Sequence, residues 1–281
     1  MRAILALLAI AVFAWADAYD DGVAATRQRN YQEAVKHFTQ AIKQNPDNAI
    51  AYINRGYSYD NLGVYAKAIG DYTRAIEVDP NYARTYIIRG GLYTRIGDYS
   101  KAIADYTQAI KIEPNNLKKL HPYYNRGVSY AQIGDHTKAI EDFTWVIRFD
   151  PRDARAFYNR GVLHNALGDH LKAFADYTRA IEIAPNNLNA FYNRGVLYAR
   201  LGDHEKAIED FTQATEIDPK YARLYNERGN SYDQARTYNE RGVSYGKLGD
   251  HEKAAEDAKK ACDLGSCNLL RAMKKNEHIH D

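Results

Sequence analysis

The chain has 281 residues, with 38 Lys and Arg against 36 Asp and Glu, a formal net charge of +2 and 45% hydrophobic residues. These values exclude a disordered or collagen-like chain. The near balance of charge leaves no global basic field to attract nucleic acid or an anionic membrane, so neither is expected as a partner.

Met1 and Arg2 open the chain, Ala3 to Phe13 form an apolar run of eleven residues, and Ala14-Trp15-Ala16-Asp17-Ala18 offers small residues two apart. This order predicts a signal peptide over 1–18, cleaved after Ala16 or Ala18, and a periplasmic or secreted mature chain. The apolar stretch ends by Ala16, short of the ~20 residues a spanning helix needs, so no membrane span is expected.

Beyond it the sequence repeats. Pro46, Pro80, Pro114, Pro151, Pro185 and Pro219 are separated by 34, 34, 37, 34 and 34 residues. Gly56, Gly90, Gly127, Gly161, Gly195 and Gly242 are each followed seven residues later by a second Gly, whereas Gly22 is not. Within one unit, apolar residues at three- and four-residue spacing flank Gly168-Asp169. That pattern predicts two amphipathic helices joined by a tight turn. Gly168 permits the helix exit and Asp169 can cap the second helix, as can Asp98, Asp135, Asp203 and Asp250. Pro185 then ends the unit.

Tyr52, Gly56, Tyr59, Ala68, Tyr72, Ala75 and Pro80 fall at fixed offsets in a 34-residue unit. In this the chain resembles the tetratricopeptide repeat family over almost all of its mature length. The resemblance implies an all-α, right-handed superhelical solenoid of helix-turn-helix repeats. The expected boundaries are an imperfect N-terminal repeat at 19–48 and five repeats at 49–82, 83–116, 120–153, 154–187 and 188–221. A duplicated helix insertion at 222–234, a last repeat at 235–265 and a C-terminal capping helix and tail at 266–281 follow. The insertion rests on near identity of 222–234 with 235–247. Thirteen residues at ~100° each return ~140° from the starting face, so one straight helix cannot present both copies to one core. The second copy is expected to be the paired one and the first an extra or misdirected helix. Three further residues near Leu117 to Lys119 predict a widened joint between repeats.

Arg55, Arg89, Arg126, Arg160, Arg194 and Arg241 precede the first Gly of each unit, and an Asp follows each sixteen residues later. The first unit has Asp21 and His37 at these places, so both members change together. These pairs are expected to bridge the two helices of a repeat, the guanidinium fork matching a carboxylate.

Just before that Arg, Asn recurs as Asn54, Asn125, Asn159, Asn193 and Asn239. The resemblance implies that first helices line a concave groove and that this Asn column contacts the backbone of an extended peptide. An amide donates and accepts at once, which suits a peptide group. Tyr124, Tyr158 and Tyr192 share one neighbouring column and Arg155 lies one turn from Asn159, so they complete the candidate peptide-binding set. Each also has a structural reading, Tyr as packing and Asn as a tolerated surface residue.

His136, His170, His204 and His251 recur once per repeat, too far apart to ligate one metal ion, and are expected to pack the turns. His278 and His280 could take up metal only adventitiously. Cys262 and Cys267 close a short loop, and in an exported chain they are expected as a disulfide; two thiols alone make no metal site. No nucleophile elbow, zinc-protease helix, phosphate loop or dinucleotide fingerprint is present, so no catalytic residue and no cofactor is expected. The expected function is a non-catalytic scaffold that binds an extended peptide or protein segment. The alternative is a structural protein of the cell envelope that self-associates into a homo-oligomer through its end repeats.

Overall fold

A computed structural model describes residues 17–114, 122–217 and 227–275. The predicted signal peptide up to residue 16, the joint at 117–119, the start of the duplicated copy at 222–226, and His278 and His280 lie outside them. Every regular element among the described residues is helical, and no described helix is long and apolar enough to cross a membrane. The chain divides into two compact units, 1–142 and 143–281.

In the first unit, α1 (residues 17–27) pairs with α2 (Tyr31–Gln44), α3 (Ala49–Asn61) with α4 (Tyr65–Val78), and α5 (Ala83–Arg95) with α6 (Tyr99–Ile112). Next comes α7 (Pro122–Gln132), followed by α8 (His136–Phe149), in which the unit boundary falls. In the second unit α9 (Ala154–Ala166) pairs with α10 (His170–Ile183), α11 (Leu188–Arg200) with α12 (His204–Glu216), and α13 (Glu227–Lys247) with α14 (His251–Asp263). The short α15 (Asn268–Lys275) packs on α14. Helix pairs stack on their neighbours in chain order within each unit, the arrangement of a helix-turn-helix solenoid.

The turns form as the residue types require. Gly63, Gly97, Gly134, Gly168, Gly202 and Gly249 all have φ between +74° and +83°, where a Cβ would crowd the backbone. The first unit has Arg29 at this place, held at φ +59°. The carboxylates of Asp98, Asp169, Asp203 and Asp250 accept the backbone N–H three residues on, and Asp135 accepts that of Lys138. The same Lys then closes an ion pair on the cap, at 2.6 to 2.9 Å in these five turns.

Two columns of side chains close the core of a repeat. The Gly of the first helix lets the aromatic of the second approach its backbone: a Cβ on Gly161 would lie 2.8 Å from Tyr177 Cε1. Beside it sits the Arg–Asp pair. In all six repeats that carry it, Nε and Nη2 of the Arg donate to the two carboxylate oxygens of the Asp, at 2.6 to 2.9 Å and 2.7 Å. The third arm was not foreseen. Nη1 donates to a Thr of the preceding second helix: Arg55 to Thr39, Arg89 to Thr73, Arg126 to Thr107, Arg160 to Thr144, Arg194 to Thr178 and Arg241 to Thr212, at 2.8 to 3.2 Å. One guanidinium thus ties three helices across two repeats.

Arg126 and Thr107 are nineteen residues apart rather than sixteen, and their bond is 3.0 Å, so the clamp closes across the longer connection. Residues 227–247 form one continuous helix of 21 residues, with no Gly-Asp turn between the described part of the first copy and the second. As expected, the second copy makes the pair, Arg241 with Asp257.

The chain ends differently from the other repeats. Ala258 stands where they have Tyr or Phe, and a Cβ on Gly242 would lie 2.7 Å from Leu269 Cδ2 of α15. The capping helix therefore supplies the side chain that the last repeat lacks. Cys262 and Cys267 form a disulfide across the turn between α14 and α15.

Truncating Arg160 to Ala leaves the Asp176 carboxylate, 5% exposed, without its cation. The expected loss is ~3 kcal/mol, partly recovered in Arg160→Ala with Asp176→Ala. Denaturant melts of the four-member cycle measure this, and additive effects would exclude the coupling. Arg29→Gly relieves the left-handed strain and is expected to stabilise the first unit by ~0.5 to 1 kcal/mol, the backbone relief outweighing the entropy a Gly adds to the unfolded chain. A lower melting midpoint for this variant would contradict that reading.

Candidate functional site

The candidate residues lie on first helices, as the repeat pattern requires. Their side chains are more engaged with one another than a purely ligand-facing column would be. Nδ2 of Asn54 donates to Tyr19 Oη at 2.9 Å, and Nδ2 of Asn193 to Tyr158 Oη at 3.3 Å. In both cases the partner lies 35 residues earlier, in the column to which Tyr124, Tyr158 and Tyr192 belong. Asn125 follows a repeat with Ile87 in that column, which offers no hydroxyl. Asn159 is half-buried on α9, and Tyr124 on α7.

The Tyr rings themselves belong to the core. Tyr158 packs on Tyr177 with ring centroids 6.1 Å apart, and Tyr192 on Phe211 at 5.8 Å. Packing and presentation are thus combined: the ring is anchored within its repeat, and in Tyr19 and Tyr158 the hydroxyl reaches the next one. Asn239 proves to be out of register. It stands three residues before Gly242 rather than two, and its Nδ2 donates to Ser266 Oγ at 2.8 Å, fastening the loop before α15. Glu240 occupies the position equivalent to Asn193.

A cavity of about 210 Å³ opens between α9, α11 and α13, lined among others by Tyr158, Tyr192, Asn193, Asn189 and Arg236. The Arg236 guanidinium lies 4.7 Å from the Tyr192 ring centroid, close enough for a cation–π contact. Arg236 was missed in the sequence, although it stands six residues before its Gly, as Arg155 and Arg84 do. Among the described residues no group of three or more His, Cys, Asp or Glu could hold a metal ion.

Arg155 has a structural partner. Its Nη2 lies 3.1 Å from Oδ2 of Asp153, whose other oxygen accepts the N–H groups of Arg155 and Ala156 and so caps α9. Burial raises the Asp153 carboxyl, but Arg155 and these backbone donors outweigh it, and the net shift is downward. A carboxylate with a lowered folded pKa contributes stability that is complete above its unfolded pKa, about 3.9, and lost as pH falls through the folded value. Arg155→Ala removes the largest lowering influence, so acid unfolding should begin at higher pH than in the parent. Circular dichroism between pH 6 and 2 tests this, and coincident acid transitions would show that Arg155 does not hold the cap.

Models of the tetratricopeptide repeat match residues 19–83, 83–116, 122–153, 152–220 and 235–264. A stretch of 47 residues is 47% identical to Hsp70-Hsp90 organizing protein 1 of Glycine max, covering 17% of this chain and 8% of that protein. Among solved structures, YrrB, described as a TPR protein with an unusual peptide-binding site, is 27% identical with a TM-score of 0.56, covering 65% of this chain and 92% of that one. The C-terminal part of a TPR repeat-containing protein from Cytophaga hutchinsonii has a TM-score of 0.73 at 18% identity, a likeness of fold alone, covering 94% of this chain and all of that one. The repeat models take in most of the described helices, each with its helix pair and tight turn, and the chain belongs to the tetratricopeptide repeat family.

Proposed function

We propose that this chain is a non-catalytic scaffold that holds an extended peptide or protein segment along its first helices, centred in the second unit on the cavity between α9, α11 and α13. The observation that carries this reading is the cavity itself: Tyr158, Tyr192 and Asn193, three of the residues picked out by repeat position, converge on it with Arg236. Their side chains are already held, Tyr158 and Tyr192 by core rings and Asn193 by the Tyr158 hydroxyl. Groups ordered in advance lose little further entropy when a ligand docks. With its Nδ2 placed by Tyr158, Asn193 offers Oδ1 to a peptide N–H. A stack of helix pairs presents its binding groups along an extended face, which suits a strand-like ligand better than a compact one. YrrB supports the reading as a family member with a peptide-binding site.

The test is selection of 12-residue peptides from a random library on the purified chain, followed by calorimetry with the winners. Asn193→Ala removes one hydrogen bond worth ~0.5 to 1.5 kcal/mol and should weaken binding roughly three- to tenfold. Lys172→Ala, at the start of second helix α10, should leave affinity unchanged. Melting curves run alongside separate this from the loss of the Tyr158 bond. Equal affinity in Asn193→Ala and parent would move the site off this face, and a concentration-dependent mass by light scattering with no peptide selected would favour self-association.

A further inference from the structure

Apart from Met1, the chain's sulfur lies entirely within residues 262–273, in Cys262, Cys267 and Met273. All three belong to the C-terminal cap. Cys262 is in the last turn of α14 and Cys267 stands immediately before α15, so their bond ties the two helices directly across the turn. Met273 is buried on α15 and packs on Ala254 and Ala258 of α14. Helices α6, α10, α12 and α14 each begin after an Asp whose carboxylate caps them, whereas α15 begins after Cys267. A disulfide sulfur is a weak acceptor, so a covalent bond stands where those turns use a carboxylate. With eight residues, α15 is well short of the ~12 to 15 at which an isolated helix becomes even marginal in water. Its order therefore depends on docking, and docking is favoured by the short ring that the disulfide closes.

The cap in turn fastens α13. Leu269 fills the space beside Gly242, and Ser266 accepts a hydrogen bond from Asn239. Asn239 follows closely on Arg236 and Thr237, which line the cavity between α9, α11 and α13. The wall of the candidate site and the anchor of the cap are thus neighbouring turns of one helix. Both cysteines are half-exposed, within reach of a thiol from solvent.

We propose that the Cys262–Cys267 disulfide is a redox latch: oxidised, it holds α15 on α13 and α14 and keeps the cavity in its binding form; reduced, it releases the cap and weakens binding there. The coupling to binding rests on the scaffold reading; the latch itself does not. The reductant is a dithiol. One of its thiolates attacks a sulfur of the disulfide and forms a mixed disulfide, and the Cys that leaves as a thiolate takes up a proton. The second thiol of the reductant then gives up its proton and displaces the other Cys. Two electrons and two protons have passed to Cys262 and Cys267, and the reductant ends as a disulfide. The chain has no further Cys, so the exchange acts on the cap alone.

Hydrogen exchange read by mass spectrometry tests this on the full chain, oxidised and in dithiothreitol. Opening the ring should speed exchange in α15 roughly thirtyfold and in residues 235–242 about threefold, with α10 and α12 unchanged. Cys262→Ser with Cys267→Ser should exchange at the reduced rate in both conditions, which separates the latch from any other action of the reductant. For the cavity, a 12-residue peptide selected on the oxidised chain should bind about threefold more weakly in dithiothreitol. The double Ser variant should bind it at the weaker level with or without reductant. Exchange in α15 that reduction leaves unchanged would overturn the latch, and faster exchange with equal peptide affinity would overturn its coupling to the cavity. If no peptide is selected, the scaffold reading fails, while exchange in residues 235–242 still decides whether the cap holds α13.

Discussion

The joint between successive repeats is made by one guanidinium that serves three helices at once. Two of its nitrogens face the carboxylate of its own second helix, and the third reaches a Thr hydroxyl on the second helix before it. A planar fork with three directed donors constrains rotation as well as distance, which apolar packing alone does less sharply. The clamp's members vary together: the first unit carries Asp21 and His37 where the others have Arg and Asp, and the repeat of Arg241 carries Lys259 where the others have Thr. The candidate site depends on this joint, because Arg194 bonded to Thr178 holds α11 against α10 at the spacing where Asn193 meets Tyr158.

Much of this was legible in the chain itself. The Gly and Pro spacing is imposed by backbone geometry, so it located the turns, the caps and the helix pairs. The Arg–Asp column was readable because both members change together in the first unit. The Thr arm recurs just as regularly, two residues after the Asp, but Thr is common on helix surfaces and its period alone carries no chemistry. Only the placement of one repeat on the next reveals it. The same holds for the Asn–Tyr bonds: 35-residue contacts pass from one repeat to the next and are invisible to a pattern read within one unit. Asn239 misled for another reason, since an Asn one place out of register resembles the column until its Gly is counted.

The C-terminal end required side chains no pattern predicts. With Ala258 replacing an aromatic, the Gly242 surface is covered by Leu269 from a helix outside the repeat. Asn239 holds the loop before that helix through Ser266, and the disulfide closes the same turn. Three independent fastenings of different chemistry thus secure the short α15, where five repeats use both a ring and a clamp.

The clamp also sets a rule for how such an array can change in length. Because each Arg draws its Asp from its own unit and its Thr from the one before, adding or removing a whole unit leaves every carboxylate with its cation. Adding only the first helix of a unit brings an Arg without the Asp of its own unit. The copied stretch at 222–234 brings Arg228, but sixteen residues later the chain has Ser244, which is buried and donates to the Glu240 carbonyl. The copied stretch brings no second helix of its own, and from residue 227 it runs without a break into the next first helix, giving the 21 residues of α13. A clamp of this kind therefore favours growth by whole helix pairs, with shorter additions confined to a connection between repeats, as before α7, or to an extension of a helix, as in α13.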